Sequence, residues 1–301
     1  MGFVTAKGQR PMTQTRYHVL RHLERVQHHL ALEVEDAAMD AFAAWAREAN
    51  ALVFRTDACV CAPDGAVLVD PATGDPEPGA EVPYPADAVE RKDRTEALLG
   101  SLGVRVPKSL PPVVAEVEVE LRAPREVASR CLALFACVLR AESLASKKEI
   151  PVSELRRRMP LAFDAMSPKE RAFFGATPPA DQDVVNHLWR YEALATLAWA
   201  VGLTGPLPSA TTVCDVPALA KLMFAANDAA FLDRARLGAT RYLLDALDLH
   251  FRLHWATTDA RIKGAAPPAG LEPSVVLERH YALNWLTRFE DADWDDVETP
   301  T

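Results

Sequence analysis

From His187 to Leu203 the chain reads HLWRYEALATLAWAVGL, apolar at nearly every position of a helix yet carrying one arginine and one glutamate. At 100° per residue, Glu192 falls between Val185, Leu188 and Trp199, and Arg190 among Leu194, Leu197 and Val201. A helix that is apolar all round belongs in the middle of a core, where a charge persists only when paired or hydrogen-bonded. The two charges point to nearly opposite faces, so each needs a partner from elsewhere in the chain.

Further helical periods flank this one. Ala88 to Leu99 is one helix; Pro124, at a first-turn position, opens another through Ala145, with Arg130 embedded beside Leu134, Cys137 and Ala141. Arg130 is therefore the first candidate for the partner of Glu192. Shorter helices are predicted over Pro151 to Met159 and over Ser167 to Phe174, where Ser167-Pro-Lys-Glu170 has the form of a capping box. Asp215 stands as an N-cap before VPALAKLMFA. Arg234 to Ala256 maps as a long helix with two apolar arcs and a narrow stripe of Arg241, Asp245, Asp248 and Arg252 between them, two i, i+4 pairs of opposite charge. A last helix over Ser274 to Phe289 puts Glu278 among Val275, Ala282 and Trp285, and the acidic stretch after it either lies on the surface or docks through Trp294.

The beginning of the chain reads differently. Residues 1 to 14 have no periodicity; Arg16 to Val34 mixes a helical pattern with an alternating one. Asp36 to Glu48 is an alanine-rich amphipathic helix ended by Asn50, and ACVCA and AVLVD flank a Pro63-Asp64-Gly65 turn, a hairpin signal. Residues 71–86 carry five prolines and read as a linker or surface loop. EVEVELR, ending at Arg122, alternates like a short strand. The fold expected is mainly α: a small N-terminal α/β unit (helix plus β-hairpin) over 1–70, the proline-rich stretch 71–86, and an all-helical bundle domain of about six to eight helices over 87–301.

Composition narrows the function classes. A net charge of −9 argues against nucleic acid, whose phosphates demand clustered Lys and Arg. No secretory h-region opens the chain, Ala6 stands where a myristoylation motif wants Ser or Thr, and Arg190 and Glu192 interrupt the best candidate for a membrane span. A cytoplasmic protein with no membrane partner is expected. Five cysteines at 59, 61, 131, 137 and 214 fit reduced thiols better than a disulfide framework.

Candidate chemistry is sparse. His18 and His22 share a helical face without a third ligand. His250 and His254 sit one turn apart, with His280 as a conceivable third, but the glutamate of a metalloprotease helix is missing. Asp291, Asp293 and Asp295 open like a calcium loop, yet Asp296 replaces the required glycine. No GxSxG, phosphate loop or dinucleotide fingerprint occurs, so neither a metal nor a cofactor nor a catalytic residue is assigned. What remains is a set of charges on apolar helices: Arg130, Arg190, Glu192, Asp248, Arg252 and Glu278. They form either a buried ion-pair network that fixes helix register or an interhelical polar pocket for an anionic or zwitterionic small molecule.

Several blocks in order, EVASRCLALF, WRYEALATLAWAVG, Cys214-Asp-Val216, YLLDALDLHFRLHWA, ERHYALNWL and the closing WDDVETPT, resemble a bacterial family catalogued as domain of unknown function 4272, over about Arg91 to Thr301. The resemblance implies a mostly helical domain and supplies no activity; the N-terminal segment lies outside it. The functional expectation is a non-enzymatic binding or regulatory module with a buried ion-pair network, acting on an unknown protein partner. The alternative is a small-molecule-binding protein or enzyme that uses the six charges as its pocket.

Overall fold

The computed structural model describes residues 12–26, 28–226 and 229–301. Two compact units divide the chain: the first takes the residues up to Asp93 together with Pro107–Ala115, the second Arg94–Val106 with Glu116–Thr301. The protein is mainly α, with a small three-stranded antiparallel sheet near its start.

In the first unit, helices α1 (Gln14–Leu23) and α2 (Met39–Glu48) precede strands β1 (Val53–Phe54), β2 (Val60–Cys61) and β3 (Val67–Val69), paired in the order β1-β2-β3. The predicted hairpin is the β2–β3 connection. Its turn depends on Gly65 at φ 92°, a left-handed value that glycine adopts without a Cβ penalty, and the Asp64 carboxylate accepts from Ala66 N at 3.1 Å. Asn50 closes α2 at φ 50°, as its residue type predicts, with Ala51 N returning to Ala46 O at 2.9 Å. The alternating HLALEV does not become a strand: Leu30 and Leu32 are both exposed. The irregular chain expected at 1–14 lies mostly outside the described residues. The proline-rich stretch 71–86 falls inside this unit. Ala80, Val82 and Tyr84 pack against Val60, Leu68 and Val69 of the sheet and Val19 of α1, because a three-stranded sheet must cover its apolar face to be stable.

Helix α3 (Ala86–Ser101) is followed in the second unit by α4 (Pro124–Ala145), α5 (Val152–Arg158), α6 (Pro160–Asp164), α7 (Pro168–Gly175), α8 (Asp181–Ala200), α9 (Val216–Ala225), α10 (Ala229–Arg234), α11 (Thr240–Ile262) and α12 (Pro273–Leu286). From α3 onward this makes ten helices among the described residues, more than the length alone suggested, since Pro151, Pro160 and Pro168 cut short helices out of one stretch. α8 packs along α4 on one side and α12 on the other, and α12 packs on α11. The apolar sequence of α8 is thus explained by neighbours on two sides. Gly202, at φ 71°, ends it in a Schellman motif, with Leu203 N donating to Ala198 O and Gly202 N to Trp199 O, both at 2.9 Å.

Two expectations are corrected. EVEVELR forms no strand: Val117 is 85% exposed, and Arg122 N donates to Leu286 O at 3.0 Å at the end of α12, so alternation here found no neighbouring strand. The long helix begins at Thr240, not Arg234, because Gly238 N leaves the helical path to donate to Ala200 O at 2.9 Å. It then runs on past Ala256 to Ile262, through helix-forming residues that carry no apolar period. No helix among the described residues is long and apolar enough to cross a membrane.

Candidate functional site

The six charges singled out on apolar helices all lie in the second unit, and each is matched by an opposite charge there. Arg130 on α4 donates to the Glu170 carboxylate on α7, where the same Oε2 accepts Ser167 N at 2.8 Å. Arg190 on α8 pairs with Glu278 on α12 at 3.0 Å. Glu192, two residues along α8, pairs with Arg279 of α12 at 3.0 Å, and its other oxygen accepts Cys214 N at 2.5 Å. Arg252 on α11 grips Asp248 through Nε at 3.0 Å and Nη2 at 2.8 Å, while its Nη1 reaches Glu96 at 3.4 Å. The partnership first supposed between Arg130 and Glu192 does not form: Arg130 faces α7 and Glu192 faces α12. What looked like one cluster is a set of separate pairs, two of them on neighbouring residues of the α8–α12 seam.

The partners were the part that sequence reasoning missed. Glu170 was visible as the capping residue of α7, and it holds both posts: the capping box with Ser167 is complete, and its carboxylate also neutralises Arg130. Arg279 had a weaker signal, a charge on a helix with hardly any polar face. It is fully buried, and its Nη1 donates to Pro208 O at 2.6 Å.

Electrostatics follow the enclosure. Burial pushes the Glu278 carboxyl up, against the pull of the Arg190 guanidinium; burial would lower Arg190, and the Glu278 charge holds it above its ordinary value. Burial raises the thiols of Cys131 and Cys214 to about 12 and pushes that of Cys137 well above its ordinary value, so none of these is poised as a thiolate nucleophile.

Of the three histidines on α11 and α12, His250 and His280 are buried and His254 is partly buried. His250 Nδ1 donates to Ala246 O at 2.8 Å, and His254 and His280 face each other Nδ1 to Nδ1 at 3.0 Å, so one of those two is the donor and the other the acceptor. Burial lowers His250 and His254 to about 4 and His280 well below its ordinary value. In the first unit His18 Nε2 meets Ser109 O at 2.7 Å and His22 Nε2 meets Asn50 O at 2.9 Å. No group of three or more His, Cys, Asp or Glu among the described residues is placed to hold a metal ion.

A concave feature of the second unit lies at one edge of this network. A cleft of about 520 Å³ is bounded by Glu126, Ser129 and Arg130 of α4, by Ser167 and Lys169 at the start of α7, and by the segment Asp293–Asp296. Trp294 is buried there, edge-on to Tyr281 and Trp285, with the guanidinium of Arg130 5.1 Å and that of Arg190 5.5 Å from its ring centroid. Asp295 caps α7, accepting Lys169 N at 2.8 Å and Ser167 Oγ at 2.6 Å. Of the two placements the sequence allowed for this stretch, docking through Trp294 is the one adopted.

A model of the family described as Domain of unknown function (DUF4272) matches residues 91–297. The chain belongs to that family. The matched span takes in α4 through α12, every pair described above and the Trp294 segment, so these features lie within the DUF4272 region; the sheet of the first unit precedes it. No curated protein and no solved structure matches the chain.

Proposed function

We propose that the chain is a non-enzymatic binding module that acts in the cytoplasm on a protein partner, with the buried charges as scaffold and the cleft beside Trp294 as its recognition face. The observation that carries the reading is that all six charges are already matched by the chain's own residues, which leaves them no charge to offer a substrate. Five free cysteines, four of them buried, suit a reducing compartment.

A thermal-shift screen of the wild-type chain, Glu192→Gln and Asp248→Asn against metabolites and metal ions tests this, since any ligand of the native state raises its melting temperature. The variants are expected to melt lower than wild type and to share its ligand profile. A compound that raises the melting temperature of wild type by several degrees but leaves folded Glu192→Gln unmoved would restore the small-molecule pocket and refute the module reading.

A further inference from the structure

The way the chain holds residues 292–298 is the way a peptide-binding groove holds a peptide. Four main-chain carbonyls of this segment are each taken by a side chain from elsewhere: Ala292 O by Arg122 Nη2 at 2.6 Å, Trp294 O by the Tyr281 hydroxyl, Asp295 O by Lys169 Nζ at 2.5 Å and Glu298 O by Asn284 Nδ2 at 2.8 Å. Side chains that read main-chain carbonyls supply affinity without regard to sequence. Two pockets add selectivity: the box of Arg130, Arg190, Tyr281 and Trp285 around Trp294, and the start of α7 around the Asp295 carboxylate. Of the cations in the walls, Arg122, Arg130 and Arg190 are each matched by a carboxylate (Glu126, Glu170 and Glu278), so the positive features that meet the acidic occupant ADWDDVE are the Lys169 ammonium and the start of α7, both engaged by Asp295.

The path into the groove is irregular in its backbone. Arg288, Glu290 and Asp291 all have left-handed backbone, with φ of 52°, 55° and 49°, and none is glycine. Both stretches around them are single 3-10 turns, Phe289–Asp291 and Trp294–Asp296, so no helix or sheet ladder ties the segment down.

From these contacts we infer that the groove between α4, α7 and α12 is a peptide-recognition surface, that residues 292–298 are its resident pseudo-ligand, and that its partner is a protein presenting an extended acidic segment with Trp followed by Asp. The inference rests on the binding-module reading and gives its partner a chemistry. When the partner binds, its tryptophan takes the guanidinium-flanked box and its aspartate caps α7, and the chain's own segment is displaced.

The test uses the full chain and a fluorescent synthetic peptide of residues 289–301, with binding followed by anisotropy. Trp294→Ala weakens the resident segment and is expected to bind the peptide at least tenfold more tightly than wild type does, because it no longer competes with its own tryptophan. A peptide carrying Ala for Trp294, or Asn for Asp295, is expected to bind at least tenfold more weakly. A cooperatively folded Trp294→Ala chain that binds the peptide no better than wild type, or that binds all three peptides alike, overturns the inference. If Trp294→Ala does not fold, a protease site inserted between Asp291 and Ala292 and then cleaved provides the second route. Replacement of the nicked segment by excess labelled peptide supports the groove, and failure to exchange overturns it. Failure here, with no ligand dependent on Glu192 in the thermal screen, removes the peptide surface alone; a ligand that depends on Glu192 removes the module reading itself.

Discussion

Arg279→Met isolates what a buried pair contributes in this core. Arg279 is fully buried and Glu192 is 2% exposed, and the pair supports two further groups, Cys214 N on the carboxylate and Pro208 O on the guanidinium. Removal of the guanidinium leaves a buried carboxylate with one backbone donor and a carbonyl without a partner, a loss of about 3–5 kcal/mol. Glu192→Leu leaves the converse, a buried cation, at a similar cost. The double variant removes both charges and is left with only Cys214 N and Pro208 O unpaired, at about 1–3 kcal/mol each. The double variant is therefore expected to be less destabilised than the sum of the singles, by a coupling of roughly 3 kcal/mol. Against a total stability of about 5–15 kcal/mol, either single variant remains measurable but marginal. Urea unfolding followed by tryptophan fluorescence is the assay, since five of the six tryptophans (all but Trp45) lie in the second unit. A cost below about 1 kcal/mol for Arg279→Met, the level of an exposed pair such as Arg157–Glu154, or a coupling near zero, would refute the reasoning.

Acid is expected to destabilise the second unit well above the carboxylate range. His250, lowered to about 4, and His280, lowered well below its ordinary value, stay neutral when folded but take protons near pH 6.5 when unfolded. Stability is then full above about pH 6.5 and falls toward pH 4 by about 1.4 kcal/mol per pH unit for each ring, partly offset by Glu278, whose raised folded pKa works in the opposite sense. Urea midpoints between pH 7.5 and 5 check this, and a flat profile contradicts it. Ser167→Ala removes both the cap of α7 and the hydroxyl held by Asp295, and is expected to lower stability by about 1–2 kcal/mol in the same assay. Of the five thiols, Cys59 alone is only partly buried, so a thiol reagent is expected to titrate one group in the native chain and five in denaturant; rapid native labelling of Cys131 or Cys137 would contradict their enclosure.

Much of the second unit was legible because its signals are local. Capping residues announce themselves within four positions: Asp215 accepts Ala218 N at 3.0 Å, and the Ser167 box closes as its spacing requires. The apolar circumference of α8 foretold neighbours on two sides, and its two charges foretold partners. Which partners they would be was not legible. Glu192 and Arg279 are separated by the whole of α9, α10 and α11, and nothing local to either specifies the register in which α8 meets α12. EVEVELR misled for the complementary reason: alternation reports where a strand would put its side chains, not whether another strand lies beside it. The cleft was invisible for a similar cause, since its walls come from α4, α7 and a segment some 125 residues further on, brought together only by packing.

The choice of ions over hydrocarbon on the α8–α12 seam follows from what those ions touch. A buried ion pair is often no more stabilising than well-packed apolar residues of the same volume. Yet the chain between α8 and α9 brings its own backbone into the core, and Cys214 N and Pro208 O must be satisfied there. Leucine and methionine would fill the volume and leave both groups unpaired. A carboxylate and a guanidinium satisfy them and each other. They also fix the rotation of α8: a turn of one residue, 100°, would withdraw Arg190 from Glu278 and Glu192 from Arg279 together, leaving four enclosed charges unmatched. The pairs thus select one register among the many that an alanine- and leucine-rich helix could adopt against its neighbours. That register also places the Arg190 guanidinium 4.3 Å from the Tyr281 ring centroid and 5.5 Å from that of Trp294, so the recognition face depends on the pair that holds Arg190 there.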